Sequence, residues 1–394
     1  MLYLNIANTI KKQFSVAIVF LCGIILLSTI YINNNLYIKT DLYRFYYIQQ
    51  ERLHRNIANK FLGLPVPVNY INHDILNKKI LNPTSWVVSQ IDQDFANFRD
   101  SSKDAVLRTF DLLPADKLLV LFTVNNGVLS VNKKHNAMNG SCERGVFIYS
   151  RIFEYLLKHG YITNVSFLLR LSDFFSDPMP YTTADLAPIL TTSKDLQRKI
   201  DQDLVLIPDY MSLEDIPKFM PRIRQASKIY PWNKKQHKIH WRGGYADVSG
   251  FRKSMVKYSI DYPESMIDAQ FVVAKKDFVP PEFQLQSKFL LNIDGHTAAW
   301  TRPIWQLQSN SVMVKQNSAL TQWYYDALIP DVHFIAVNSD PEAVIDKVNR
   351  YTDQELYNIA QGGSLFAENN LTIDDMVAYI ALVLQKYEYL QNNK

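Results

Sequence analysis

Between residues 204 and 340 the chain repeats one pattern: a short apolar run closed by Gly, Asn, Asp or Pro, as in LVLIPDY, KIHWRGG, FLLNIDG, SVMVKQN and HFIAVNSD. Runs this short, bounded by turn residues, have the signature of strands buried in an α/β sheet. The same order occurs earlier. KLLVLFTV reads as a strand over 117–124, Gly145–His159 as a helix ending near Gly160, and Val165–Leu171 as a second strand. Two α/β halves are the simplest architecture, and in such folds ligands gather at the carboxyl ends of the strands. Ser85–Arg99 reads as an amphipathic helix with Val87, Val88, Ile91, Phe95 and Phe98 on its apolar face. Thr372–Leu390 reads as a helix with Asp374 and Asp375 in its first turn, where the helix dipole favours them.

A hydrophobic content of 47% with no low-complexity stretch supports a globular body of about two domains. The 42 basic and 38 acidic residues are mixed along the chain and leave a net charge of only +4, so the electrostatic footprint of a nucleic-acid binder is missing. Two cysteines, Cys22 and Cys142, do not make a disulfide framework. Residues 14–32, FSVAIVFLCGIILLSTIYI, carry no charge and at helical rise match a bilayer core, which predicts a transmembrane anchor. Lys11, Lys12 and the amino terminus outweigh Lys39 and Arg44, with Asp41 between them. That balance favours a single-pass, type II orientation. The body is then expected to face a Golgi or endoplasmic reticulum lumen if the source is eukaryotic, or the cytoplasmic face of the inner membrane if it is bacterial.

Lys238–Arg252, KIHWRGGYADVSGFR, is an alternating run ending in Arg-Gly-Gly. Gly243 and Gly244 would allow positive φ and close approach to a ligand, and Arg242 would present a fork to two phosphate oxygens. In Leu291–Arg302, LNIDGHTAAWTR, a strand runs into Asp-Gly, small residues and an arginine opening a helix, a loop able to offer N–H groups to an anion. Read singly, each loop is also consistent with a plain sheet corner carrying a surface arginine. Two of them in one half point to a diphosphate. The pairs Asp92/Asp94 and Asp201/Asp203 have Asp-x-Asp spacing, but Asp92 and Asp94 fall in the amphipathic helix and read as solvated surface. With no His or Cys cluster at ligand spacing and no Walker loop, no metal or cofactor is expected.

The ordered series YPWNKKQHKIHWRGG, YPESMIDAQF, SKFLLNIDGHTAAWTR, SNSVMVK, PDVHFIAVNSD and AQGGSLFAENNLTIDDMVAYIALVLQKY resembles glycosyltransferase family 90 over roughly residues 85–390. That family includes protein O-glucosyltransferases, capsule-associated xylosyltransferases and lipopolysaccharide-modifying transferases. The resemblance implies an α/β, GT-B-like fold with two Rossmann-like domains facing a cleft, behind the transmembrane helix. The expected organisation is an amino-terminal tail (1–13), anchor (14–32), stem (33–60), acceptor-side domain (61–205), donor-binding domain (206–371) and carboxyl-terminal helix (372–394). It further implies donor binding by Arg242, Gly243, Gly244, Gly295, His296, Thr297, Ala298, Ala299, Trp300, Thr301 and Arg302. LLRLSDFF matches the block carrying the catalytic carboxylate and makes Asp173 the base, although the family often has an arginine directly before that aspartate and here Arg170 lies three residues earlier. The implied reaction is metal-independent, inverting transfer of glucose or xylose from a UDP-sugar to a hydroxyl of a glycan, lipopolysaccharide or protein. The alternative is a membrane-anchored sugar-nucleotide or glycan-binding protein that kept the fold and lost catalysis.

Overall fold

The computed structural model describes residues 67–98, 100–113, 118–134, 140–171, 186–202, 204–247, 249–298 and 301–393. The expected tail, anchor and stem therefore lie outside the described residues, as do Asp173, Asp203, Ala299 and Trp300. Among the described residues no helix is long and apolar enough to cross a membrane.

The first half contributes β1 (Leu119–Asn125), β2 (Val128–Lys133), β3 (Ser166–Arg170), β4 (Ile189–Thr191), β5 (Lys194–Asp195) and β6 (Val205–Leu206). Asn126 and Gly127 join β1 to β2 with φ of 50° and 76°, the two-residue hairpin for which Asn-Gly is the preferred pair. One sheet runs in the order β2-β1-β3-β4-β6, with β3, β4 and β6 parallel and β1 antiparallel to both of its neighbours. The central strands β3 and β4 are buried along their whole length, which explains the apolar Phe167, Leu168 and Leu169 of the one and Ile189 and Leu190 of the other. The LVLIPDY run, read from sequence as the opening of the second half, instead closes the first sheet, because β6 pairs with β4.

A helix over Tyr210–Ile229, capped by the Asp209 carboxylate on the Ser212 N–H, leads to the second half. There β7 (Gln236–Gly243), β8 (Ile267–Phe271), β9 (Ser287–Asn292), β10 (Val312–Gln316) and β12 (Ile335–Val337) form a fully parallel sheet ordered β8-β7-β9-β10-β12. The chain passes from β7 to β8 on one side and then returns to place β9 on the other. The crevice at the carboxyl ends of β7 and β9 is thus the switch point at which doubly wound sheets bind ligands.

Two features tie the halves together. The short strand β11 (Leu320–Thr321) pairs antiparallel with β5, and the Ala298 N–H donates to Ser193 Oγ at 3.3 Å. The last helix, Ile373–Asn392, opens with a Thr372/Asp375 capping box and packs into the core of the first half. Its Tyr387 hydroxyl donates to the Pro188 carbonyl at 2.9 Å, and Gln391 exchanges hydrogen bonds with the Ser166 backbone.

The acidic pairs require a correction. The helix Ser85–Phe95 turns Gln90, Ile91, Asp94 and Phe95 inward and leaves Val88 43% exposed. Asp94 is not solvated surface. It lies 2.5 Å from Lys194 Nζ and accepts from Gln90 at 3.1 Å and from the Leu206 N–H at 2.7 Å, clamping this helix to both β5 and β6. Asp201 is likewise buried and receives Arg170 at 3.2 Å. Asp92 remains exposed and meets Lys386 at 2.9 Å. Removing one member of a buried pair strands the other charge. Asp94→Ala should therefore lower unfolding free energy by about 3–5 kcal/mol, and Asp92→Ala by about 1 kcal/mol or less, as read from urea denaturation of the two variants.

Candidate functional site

At the carboxyl end of β7, side-chain alternation places Ile239 and Trp241 in the core of the second half, with His240 and Arg242 on the opposite face. Gly243 does not have positive φ, contrary to the expectation from sequence. A Cβ there would lie 2.5 Å from the Trp241 ring, so this position is glycine because the indole folds across it. Gly244 also lacks positive φ, and a Cβ would meet no heavy atom within 4 Å. The left-handed residue is Gly250, with φ of 78°, which starts the helix Phe251–Asp261.

That helix start carries Arg252, which sequence reasoning did not assign to the site. Its Nη1 donates to the Gly244 carbonyl and its Nη2 to the Ile293 carbonyl, both at 3.0 Å, bridging the ends of β7 and β9. A Cβ on Gly295 would lie 3.0 Å from Arg252 Nη2, so the bare backbone of this loop seats the guanidinium. Arg302 opens the helix Arg302–Gln308 and donates from Nη2 to the Arg242 carbonyl at 2.6 Å. Both guanidiniums lie over the Trp241 ring, Arg252 at 5.5 Å and Arg302 at 5.8 Å. Burial, with the charge of Arg252 added to it, pushes Arg302 down to about 10. Neither arginine forms an ion pair among the described residues. Two like charges are thus held together at the switch point with no carboxylate in direct contact, the nearest electrostatic partners of Arg252 being Asp247 and Asp294.

Arg242 stands differently from the expectation. Its guanidinium turns along the sheet to β8, donating to the Asp268 carbonyl at 2.9 Å and to Asp268 Oδ1 at 2.7 Å. Asp268 Oδ2 meets His240 Nδ1 at 3.0 Å. What Arg242 gives the crevice is its carbonyl, which holds Arg302. Of the other expected residues, Thr297 and Ala298 are buried and His296 is exposed. Ala298 is gripped from both halves, its N–H by Ser193 and its carbonyl by Gln322. Thr301 occupies the N-cap position of the Arg302 helix without making a capping bond. Arg170, upstream of Asp173, is buried at the end of β3, where it donates to Thr191 Oγ1 at 2.8 Å, to the Ser193 carbonyl at 3.0 Å and to Asp201. Beside Gly244, Tyr245 stacks on Phe271 with ring centroids 4.3 Å apart and is 58% exposed, leaving an open aromatic face at the mouth of the crevice.

Burial lowers His240 below its ordinary 6.5, even against its bond to Asp268. Burial would raise Asp268, but the hydrogen bond from His240 and the charge of Arg242 hold it at about 2. A histidine kept neutral in the fold takes up protons more readily when unfolded, so stability falls as pH drops below 6.5. The Asp268 contribution is complete above pH 3.8 and is lost toward pH 2. Thermal melting between pH 7 and 5 should show a declining midpoint, and His240→Gln should make that decline shallower. An unchanged slope would remove His240 from the account.

The profile of Glycosyl transferase family 90 matches residues 83–394. Protein O-glucosyltransferase 2 of Danio rerio is 30% identical over 210 residues, which cover 48% of this chain and 41% of that protein. Protein O-glucosyltransferase 3 of Homo sapiens is 27% identical over 175 residues, 41% of this chain and 34% of that protein. The chain thus spans less than half the length of these curated relatives. The family match, in contrast, takes in both sheets, the arginine crevice and the final helix, and on that extent the chain belongs to glycosyl transferase family 90.

Proposed function

We propose that this protein is a membrane-anchored glycosyltransferase that moves glucose or xylose from a UDP-sugar onto a hydroxyl of a glycan, lipopolysaccharide or protein acceptor, with inversion and without a metal. The observation that carries this reading is the Arg252–Arg302 pair at the switch point. Two guanidiniums packed on one indole ring, neither in contact with a carboxylate, are arranged for a bound dianion. A UDP diphosphate fits there, and the exposed ring of Tyr245 offers a stacking surface to the uracil base. Arg242 supports the pair from behind through its carbonyl. The two sheets then act as the two halves of a GT-B enzyme, and residues 14–32 hold the body at a membrane.

In the proposed reaction Asp173 takes the proton from the acceptor hydroxyl as its oxygen bonds to the anomeric carbon. The bond from that carbon to the diphosphate oxygen breaks on the opposite face, and UDP leaves with the electron pair. Arg252 and Arg302 stabilise the charge that develops on it. Asp94 and Asp201, the members of the Asp-x-Asp pairs that the fold buries, are committed to Lys194 and Arg170. The arginines therefore take the part a divalent cation plays in other transferases.

Calorimetry with UDP tests the site: Arg252→Ala and Arg302→Ala should each weaken binding about ten- to hundredfold, and unchanged affinity in both would sink the reading. Release of UDP from UDP-glucose or UDP-xylose should persist in a chelator. Asp173→Asn should slow transfer by about 10²–10⁴-fold while UDP still binds. Tight UDP binding without turnover across a panel of donors and acceptors would favour the non-catalytic binding protein.

A further inference from the structure

A donor whose diphosphate sits on Arg252 and Arg302 can extend along the edge of the second sheet in two directions. Toward β8 it meets Tyr245 and Phe271, a flat aromatic face suited to a planar base. Toward β10 it meets Asp294 and Lys315, at the ends of β9 and β10. That second direction leads to the first half, because loop 295–298 reaches Ser193 there and β11 pairs with β5 just beyond β10. The transferred group has to face the half that carries the acceptor and its base.

Asp294 and Lys315 form an unusual environment. Both are buried, at 8% and 7% exposure, and of opposite charge, yet they do not form an ion pair. Asp294 Oδ2 accepts from the Ser318 hydroxyl, while Oδ1 takes no hydrogen bond from the described residues. Lys315 Nζ makes one hydrogen bond, to the Gln316 carbonyl at 3.2 Å, and lies 4.5 Å from the centre of the Tyr325 ring. The remaining donors of the ammonium have no partner among the described residues. The positions are nonetheless fixed. The Asp294 N–H donates to Gln316 Oε1 at 3.2 Å, and Gln316 Nε2 donates to Ser339. Gln322 donates both to the Tyr325 hydroxyl and to the Ala298 carbonyl of the loop. Burial pushes Asp294 up and Lys315 down, each toward its neutral form. A charged pair serving only stability would close to contact. These two are held apart, each with unused hydrogen-bonding capacity, within electrostatic reach of Arg252.

We propose that Asp294 and Lys315 form the subsite for the transferred sugar, with the carboxylate accepting from one ring hydroxyl and the ammonium donating to its neighbour. The ligand class is a glycosyl group bearing vicinal hydroxyls, as in a hexose or pentose linked to a nucleoside diphosphate. This inference rests on the donor reading above and adds to it the direction in which the donor lies. Uridine lies on the β8 side and the sugar on the β10 side, beneath the loop that joins the halves.

The test compares UDP with UDP-glucose and UDP-xylose on the full chain in detergent, using calorimetry for affinity and UDP release for turnover. Asp294→Asn and Lys315→Gln should keep UDP affinity within about twofold and lose about ten- to hundredfold in kcat/KM for the UDP-sugar. Ser318→Ala, which frees the carboxylate without removing it, should show a smaller loss of the same kind. Retained UDP affinity reports that a variant is folded. Unchanged kcat/KM in both charge variants overturns the subsite. So does an equal loss for UDP and UDP-sugar at unchanged melting temperature, since Asp294 would then serve the diphosphate. Absence of UDP binding by the unsubstituted protein overturns the donor reading itself, and the subsite with it.

Discussion

The Trp241 indole governs the geometry of the crevice. It is 1% exposed, folds across Gly243, and carries Arg252 and Arg302 on its ring. Each arginine comes from the start of a different helix, and both reach back to the end of β7. Arg252 ties Gly244 to Ile293, and Arg302 ties its helix to the carbonyl of Arg242. A rigid aromatic surface lets two like charges sit close together in a partly buried place, because the ring face attracts both cations. The indole adds to the backbone carbonyls that already hold each guanidinium, and it fills the space between them and the core.

The position of this crevice follows from topology. The second sheet is wholly parallel, so every strand delivers its carboxyl end to one edge, and the order β8-β7-β9-β10-β12 opens a gap between β7 and β9 at that edge. Everything assigned to the donor lies along this line: the aromatic face between β7 and β8, the arginines between β7 and β9, and the polar pair at β9 and β10. A linear ligand with a flat end, a doubly charged middle and a hydroxylated end matches that order of chemistry. The correspondence arises from one strand order and does not need separate adjustments at each subsite.

The sequence revealed β1, β3, β6, β7, β9, β10 and β12 and the two glycine-bearing loops, because short apolar runs closed by turn residues are local signals; β2, β4, β5, β8 and β11 were not among them. Roles that depend on strand face or on distant partners were misread. Arg242 looked like the ligand because it stands beside the glycines, but alternation sends it to the face where Asp268 waits on β8. The residue that reaches the crevice is Arg252, placed there by the left-handed Gly250 and the helix it starts. Gly243 carried a backbone meaning in the sequence and a steric one in the structure, since the contact that excludes a Cβ is the side chain two residues earlier. Asp94 looked like helix surface because its cation, Lys194, is a hundred residues away, and no local pattern predicts a partner at that range.

The join between the halves links the two sides of the proposed reaction. Arg170 donates to the Ser193 carbonyl, Ser193 Oγ accepts from Ala298, and the loop containing Ala298 runs on to Arg302. The end of β3, from which the chain continues to Asp173, is thus connected by a short series of buried hydrogen bonds to the loop that leads to Arg302. Beside it, β5 and β11 close a second bridge whose first-half side is fixed by the buried Lys194–Asp94 pair. Bridged in this way, the two sheets are held in fixed register at that edge. In the proposed reaction that rigidity would limit the entropy lost in bringing donor and acceptor together.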